Sequence, residues 1–313
     1  MAQRNYNPKI SNLEELSRSE KPYYEPMGQE VELCRAAFYL QRPLVLKGPT
    51  GCGKTTFSRY MQWALGNELN GKKFTPDYEY NHETGIYEAT KNKEQTDVQF
   101  PLYLVDGTED TEVIHIQGGL NHTGKFIGGP MYHWAHTGGI LLVNELAEIR
   151  SDVQTVFHGA LDKERTVTFP DIGKTVELPD HAMMIATYNP GFQAKKMPLK
   201  ISTKQRLPAI NFSYPDRDTE AKIIQNAGKD YKVDKGTAET LARMAEGLRA
   251  GDQEESILAS REGISTRLFV MAGEFVAYGC DLKTACRAAV IEPLAANDQE
   301  ASALEALLET YYA

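Results

Sequence analysis

Residues 48–55 read Gly48-Pro49-Thr50-Gly51-Cys52-Gly53-Lys54-Thr55, the Walker A pattern of a phosphate-binding loop, and Thr56 opens the helix-forming stretch Thr56–Leu65. Each residue type has a chemical reason to be there. The glycines let the backbone curl until successive N–H groups point inward, and a following helix aims the positive end of its dipole at the same point. Lys54 can reach the β- and γ-phosphates, and the Thr55 hydroxyl can ligate Mg²⁺. Cys52 fills a variable position as a small spacer. The apolar run Pro43–Leu46 supplies the strand that must precede such a loop. Gly48 to Thr56 therefore form a candidate cofactor-binding set, and a nucleoside triphosphate is the implied ligand.

Hydrolysis needs more than a phosphate cradle. It requires an acceptor beside the metal and a carboxylate that orients the attacking water, both at the end of a neighbouring buried strand. Ile140-Leu141-Leu142-Val143-Asn144-Glu145 has that form, an apolar run ending in two polar residues. Glu145 is the candidate water-polarising base. Asn144 is the candidate metal-side residue, offering one neutral oxygen where a carboxylate would bring charge. The expectation is either a weaker metal affinity or a missing charge supplied through water by Asp106, which ends the run Leu102–Val105. Asn189 ends the run Met183–Thr187 and could hydrogen-bond the γ-phosphate or the water.

The elements that must position these residues follow from periodicity. Gly28–Leu40 has near-helical apolar spacing, and strands alternate with helices from residue 30 to about 214, which predicts an α/β fold with a parallel sheet whose ligands sit at the strands' C-terminal ends. Residues 66–99, polar and aperiodic, read as a surface insertion with a hairpin near His82–Gly85. Thr108-Glu109-Asp110 suits a helix cap. Gly118–Gly129 holds five glycines around Phe126 and Ile127 and reads as a loop displaying apolar residues. Thr166–Phe169 and Thr175–Leu178 flank a turn and predict a β-hairpin over 166–178. From Asp216 onward the pattern is helical, with helices expected over Thr219–Ala227, Gly236–Leu248, Ser265–Tyr278, Leu282–Val290 and Gln299–Tyr311. The expected organisation is an N-terminal arm (1–22), an α/β nucleotide-binding core (23–214) and a small all-helical lid domain (215–313), with the boundary at Tyr214-Pro215.

Composition sets outer limits. The 313-residue chain is 41% apolar, with 34 basic and 43 acidic residues for a net charge of −9. That balance argues against non-specific DNA binding, which needs a cationic surplus. Lys195, Lys196, Lys200, Lys204 and Arg206 form a local basic group. The four cysteines show neither Cys-x-x-Cys spacing nor a disulfide framework, no window approaches the length of a membrane span, and a signal-peptide core is lacking. A soluble, cytoplasmic protein is the expectation.

The order of these motifs resembles the MoxR branch of AAA+ ATPases. Within it, Lys21-Pro22-Tyr23-Tyr24-Glu25-Pro26, Lys47–Thr55, Ser202-Thr203-Lys204-Gln205-Arg206 and Gly263-Ile264-Ser265-Thr266-Arg267-Leu268 are similar to the CbbQ/NirQ/NorQ group, which the gas-vesicle GvpN proteins also resemble. The resemblance implies a P-loop AAA+ core with helices on both faces of a parallel sheet, binding ATP and Mg²⁺. It implies Asn189 as sensor 1, Arg206 as an arginine finger acting on a neighbour's ATP, with Arg150 as the alternative, and Arg267 as sensor 2. It further implies a homo-hexamer whose Gly118–Gly129 loop and 166–178 hairpin line the pore or ring face, working with a von Willebrand A-domain adaptor on a client enzyme complex. Rubisco is the first expected client, nitric oxide reductase the second, and gas-vesicle assembly the third. Two features depart from the group: Asn144 stands where Asp is usual, and 66–99 is long. Two other classes stay open, a small-molecule P-loop kinase and a nucleotide-gated scaffold with little turnover.

Overall fold

A computed structural model describes residues 21–91, 94–191, 199–227, 232–251 and 264–312. The expected arm, apart from Lys21 and Pro22, and Lys195, Lys196 and Gly263 lie outside the described residues.

Five short strands form the central sheet: β1 (Leu44–Lys47), β2 (Leu102–Asp106), β3 (Gly139–Asn144), β4 (Ala182–Tyr188) and β5 (Ala209–Asn211). Their order is β5-β1-β4-β3-β2, and every pairing is parallel. A parallel sheet is covered on both faces, so its strands read as continuous apolar runs. β3 and β4 do so, and of their residues only Asn144 is more than marginally exposed. Alternation along β3 sends Leu141 and Val143 to one face and Ile140 and Leu142 to the other. The first face packs on Tyr132 and Trp134 of the helix Pro130–Thr137 and on Phe157 and Phe169. The second packs on Val31, Cys34 and Phe38 of α1 (Glu30–Tyr39) and on Phe57, Met61 and Leu65 of α2 (Lys54–Leu69).

Beyond Tyr214 the chain is helical and has its own apolar cluster. α3 (Arg217–Asn226), α4 (Lys235–Gly251), α5 (Thr266–Tyr278) and α6 (Asp298–Glu309) surround Ile224, Leu241, Met244, Leu248, Phe269 and Leu304. Asp216 caps α3 by accepting from the N–H groups of Asp218 and Thr219, and Asn297 caps α6 through Glu300. The stretch expected as one helix over Leu282–Val290 is α-helical to Cys286 and then a π turn over Arg287–Ile291. The fold is thus a helix-flanked parallel sheet followed by a helical region resembling a lid.

Several local readings need correction. α2 continues to Leu69, because Leu65 and Leu69 keep its apolar face buried, so residues 66–69 belong to the helix and not to an insertion. The remainder of that stretch is ordered pairing: Lys73–Phe74 with Thr96–Asp97, and Tyr78–Asn81 with Ile86–Ala89, the latter being the hairpin expected near His82–Gly85. Thr108-Glu109-Asp110 caps nothing. The Thr111 hydroxyl ties Thr108 into a turn, and Glu112 makes a capping box with His115 at the start of the helix Val113–Gln117. The glycine-rich loop is a short hairpin, Gly118–Leu120 with Phe126–Gly128; Ile127 and Leu120 are exposed, but Phe126 is buried in the first-face core.

Candidate functional site

β1 ends at Lys47 and α2 begins at Lys54, and the six residues between them form the phosphate-binding loop. Its shape depends on glycine. A Cβ at Gly51 (φ +71°) would collide with Ser265, and Gly53 (φ +97°) enters α2 from the left-handed region that side chains rarely adopt. The Lys54 side chain is buried over the loop, its ammonium donating to the carbonyls of Gly48 at 2.9 Å and Pro49 at 2.7 Å. Burial pushes the Cys52 thiol up, with Lys54 partly opposing, so Cys52 stays a neutral spacer.

A cavity of about 560 Å³ opens above the loop. It is lined by Thr50 to Thr56, by Asp106, Asn144 and Glu145 at the strand ends, and by Arg267 and Met271 of α5. Tyr23, Tyr24 and Glu25 also line it, with Pro215 and Ile223. The parallel register puts Asp106 directly beside Asn144, and the Asn144 Nδ2 donates to Asp106 Oδ1 at 2.9 Å. A carboxylate only accepts, so the amide nitrogen must face it, which leaves Asn144 Oδ1 as an acceptor with no hydrogen-bond partner. Glu145 adopts φ 52°, ψ 47°, a left-handed conformation uncommon for a residue with a Cβ, and its N–H donates to the Thr187 hydroxyl at 2.9 Å. Backbone strain of this kind concentrates at functional sites. Asn189, buried at the end of β4, donates from Nδ2 to the Thr50 hydroxyl at 3.2 Å and accepts from Gly191 N at 3.1 Å.

The cavity thus gathers Thr50–Thr56, Asn144, Glu145 and Arg267, while Gly48 and Pro49 hold Lys54 from behind and Asn189 touches the loop's apex. Two other arginines lie elsewhere. Arg206 is ion-paired with Asp162 and donates to the Ser202 carbonyl, and Arg150 pairs with Asp152 at 3.5 Å; neither is among the residues lining this cavity. A donor set of a hydroxyl, a neutral amide oxygen and a nearby carboxylate suits a hard cation that shares its ligands with phosphate oxygens, so the residues present fit Mg²⁺.

Sequence reasoning passed over Thr187, Tyr214 and Arg249. The Thr187 hydroxyl holds the Glu145 backbone, and the Tyr214 hydroxyl donates to the Thr50 carbonyl at 3.0 Å. Tyr214 carried a signal only as half of a boundary dipeptide; Thr187 and Arg249 carried none, because their partners are distant in sequence.

A five-stranded parallel sheet in this order, a Gly-x-x-x-x-Gly-Lys-Thr loop following β1 and an arginine of the helical region lining the same cavity define an AAA+ ATPase. Residues 89–207 match a family model described as AAA domain (dynein-related subfamily), and residues 220–311 match one described as CbbQ/NirQ/NorQ C-terminal. The chain belongs to the CbbQ/NirQ/NorQ family of MoxR-type AAA+ ATPases, whose general activity is ATP-driven remodelling of proteins. It is 33% identical to Protein CbbQ of Hydrogenophilus thermoluteolus over 95% of this chain and 97% of the relative. It is 30% identical to the denitrification regulatory protein NirQ of Pseudomonas aeruginosa over 95% of this chain and 100% of that protein, and 32% identical to Protein NorQ of Paracoccus denitrificans over 87% of each. Among the described residues, no helix is long and apolar enough to cross a membrane.

Proposed function

We propose that this chain is the ATP-hydrolysing subunit of a cytoplasmic homo-hexameric ring that remodels a client enzyme together with a von Willebrand A-domain adaptor. The carrying observation is that Lys54, Thr55, Asn144, Glu145 and Arg267 line one cavity. In this reading the loop N–H groups and Lys54 bind the triphosphate, and Thr55 and Asn144 would hold Mg²⁺, with Asp106, hydrogen-bonded to Asn144, adding charge. When bound, the metal neutralises charge on the phosphate oxygens. Glu145 orients a water and draws its proton as the water oxygen bonds to the γ-phosphorus and the bond to the bridging oxygen breaks, giving ADP and phosphate. Asn189 positions that water, and Arg267 reports the nucleotide to the lid.

Arg206 serves the neighbouring subunit. It lies away from its own chain's cavity, anchored by Asp162, which supports a finger acting in trans over one acting in cis. Such a finger is worth ~10³–10⁵ in rate in other NTPases. The pore-facing parts are the 118–129 and 166–178 hairpins. A Rubisco complex is the first client and nitric oxide reductase the second; similarity to CbbQ, NirQ and NorQ at comparable identity supports both.

Nucleotide binding, ATP turnover and particle size, each measured with Mg²⁺, test the reading. Lys54→Ala removes binding; Arg206→Ala keeps binding and loses about 10³-fold in turnover. Normal turnover by Arg206→Ala, or no assembly beyond a dimer with ATP at micromolar concentration, would contradict it and favour a small-molecule kinase.

A further inference from the structure

We infer that Tyr214 and Arg249 are positioning residues that tie the apex of the phosphate-binding loop to the turn carrying Arg267, so that Thr50 and Arg267 shift together. The inference rests on the ATPase reading above. Tyr214 stands at the junction between the sheet and the helical region. Its hydroxyl donates to the Thr50 carbonyl at 3.0 Å, one residue before Gly51, and the Thr50 hydroxyl is the group that Asn189 contacts. The ring of Tyr214 carries the guanidinium of Arg249, whose central carbon lies 4.2 Å from the ring centroid.

Arg249 directs its donors at two further segments. It grips Glu220 of α3 with two parallel bonds of 2.8 and 2.6 Å, and its Nε donates to the Ile264 carbonyl at 2.8 Å. A longer contact, 3.4 Å, reaches the Thr266 hydroxyl, immediately before Arg267. The Glu220 and Arg249 side chains are 1% and 16% exposed, so the pair is largely withdrawn from water. Between the two ends, Ser265 packs so closely on Gly51 that no side chain fits there.

A planar fork that is bidentate to a buried carboxylate and stacked on a ring has one geometry, which neither a lysine nor a free arginine reproduces. The loop apex, α3 and the Ile264–Arg267 turn therefore share a single anchor. A displacement of the Thr50 peptide is passed through Tyr214 and Arg249 to the residues that aim Arg267, which gives the loop apex and Arg267 a coupling free energy.

A double-substitution cycle on the full chain tests this, reading kcat, KM for ATP and melting temperature for the natural protein, Tyr214→Phe, Arg267→Ala and the combination. Tyr214→Phe keeps the ring under Arg249 and removes only the hydroxyl. It is expected to lower kcat by about three- to ten-fold with KM and melting temperature little changed, the size of one lost hydrogen bond. In the Arg267→Ala background the same change is expected to lower kcat by less than about two-fold, because the group it positions is gone. Equal losses in both backgrounds overturn the inference, as does a loss confined to melting temperature. A natural chain that binds no ATP and shows no turnover overturns the ATPase reading and this inference with it, whereas turnover with additive losses overturns the inference alone.

Discussion

Asn144 concentrates the chemistry that distinguishes this site. Its neutral amide spans Asp106 and the cavity, so the negative charge usual at the end of this strand sits one residue away, on the neighbouring strand. If Asp106 supplies that charge, Asp106→Asn should raise the Mg²⁺ concentration for half-maximal turnover by about three- to ten-fold, the order expected for one charge acting across a solvated gap. An unchanged Mg²⁺ dependence would remove Asp106 from the site. Lys54, Thr55 and Glu145 were legible in the sequence because each sits in a pattern only a few residues long. Asn144 was legible as an anomaly, whereas its bond to Asp106 was not, since it depends on the register of two strands 38 residues apart in the chain.

At the scale of elements, the parallel sheet was legible from buried runs and the C-terminal helices from their periodicity. Of the stretch after α2, only the hairpin turning at His82–Gly85 was legible. What that hairpin packs on was hidden: Tyr87 stacks on His136 of the helix Pro130–Thr137, with ring centroids 4.2 Å apart, and the Tyr87 N–H donates to the Tyr132 hydroxyl at 2.7 Å. Lys174, in the 166–178 hairpin, donates to the Tyr87 carbonyl at 2.9 Å, and Lys125 reaches the His82 carbonyl at 3.0 Å. Local pattern cannot show such contacts between hairpins distant in sequence. They also give the molecule a pH dependence. Burial lowers the His136 imidazole from 6.5 to about 4 in the folded chain. The unfolded chain takes up that proton first, so the stability is complete above about pH 6.5 and falls as pH drops toward 4, by at most about 3 kcal/mol. Urea unfolding at pH 7 and pH 4.5 should therefore show a smaller loss for His136→Phe than for the natural protein. Equal losses would mean that His136 is protonated when folded.

At the scale of the whole molecule, the sheet and the helical region meet over one cavity, and the sequence indicated both partners through the loop motif and the segment around Arg267. The anchor between them, Tyr214 with Arg249 and Glu220, stayed hidden because a buried arginine and a surface arginine look alike in a sequence. The central claim is that turnover requires Glu145 from one subunit and Arg206 from the next. Mixing two inactive variants, Glu145→Gln and Arg206→Ala, tests it most directly. In a mixed ring, an Arg206→Ala subunit keeps its own Glu145 and receives Arg206 from a Glu145→Gln neighbour, so the account predicts that the mixture regains ATP turnover that neither variant shows alone. A mixture that assembles and binds ATP yet stays as inactive as its components would contradict it.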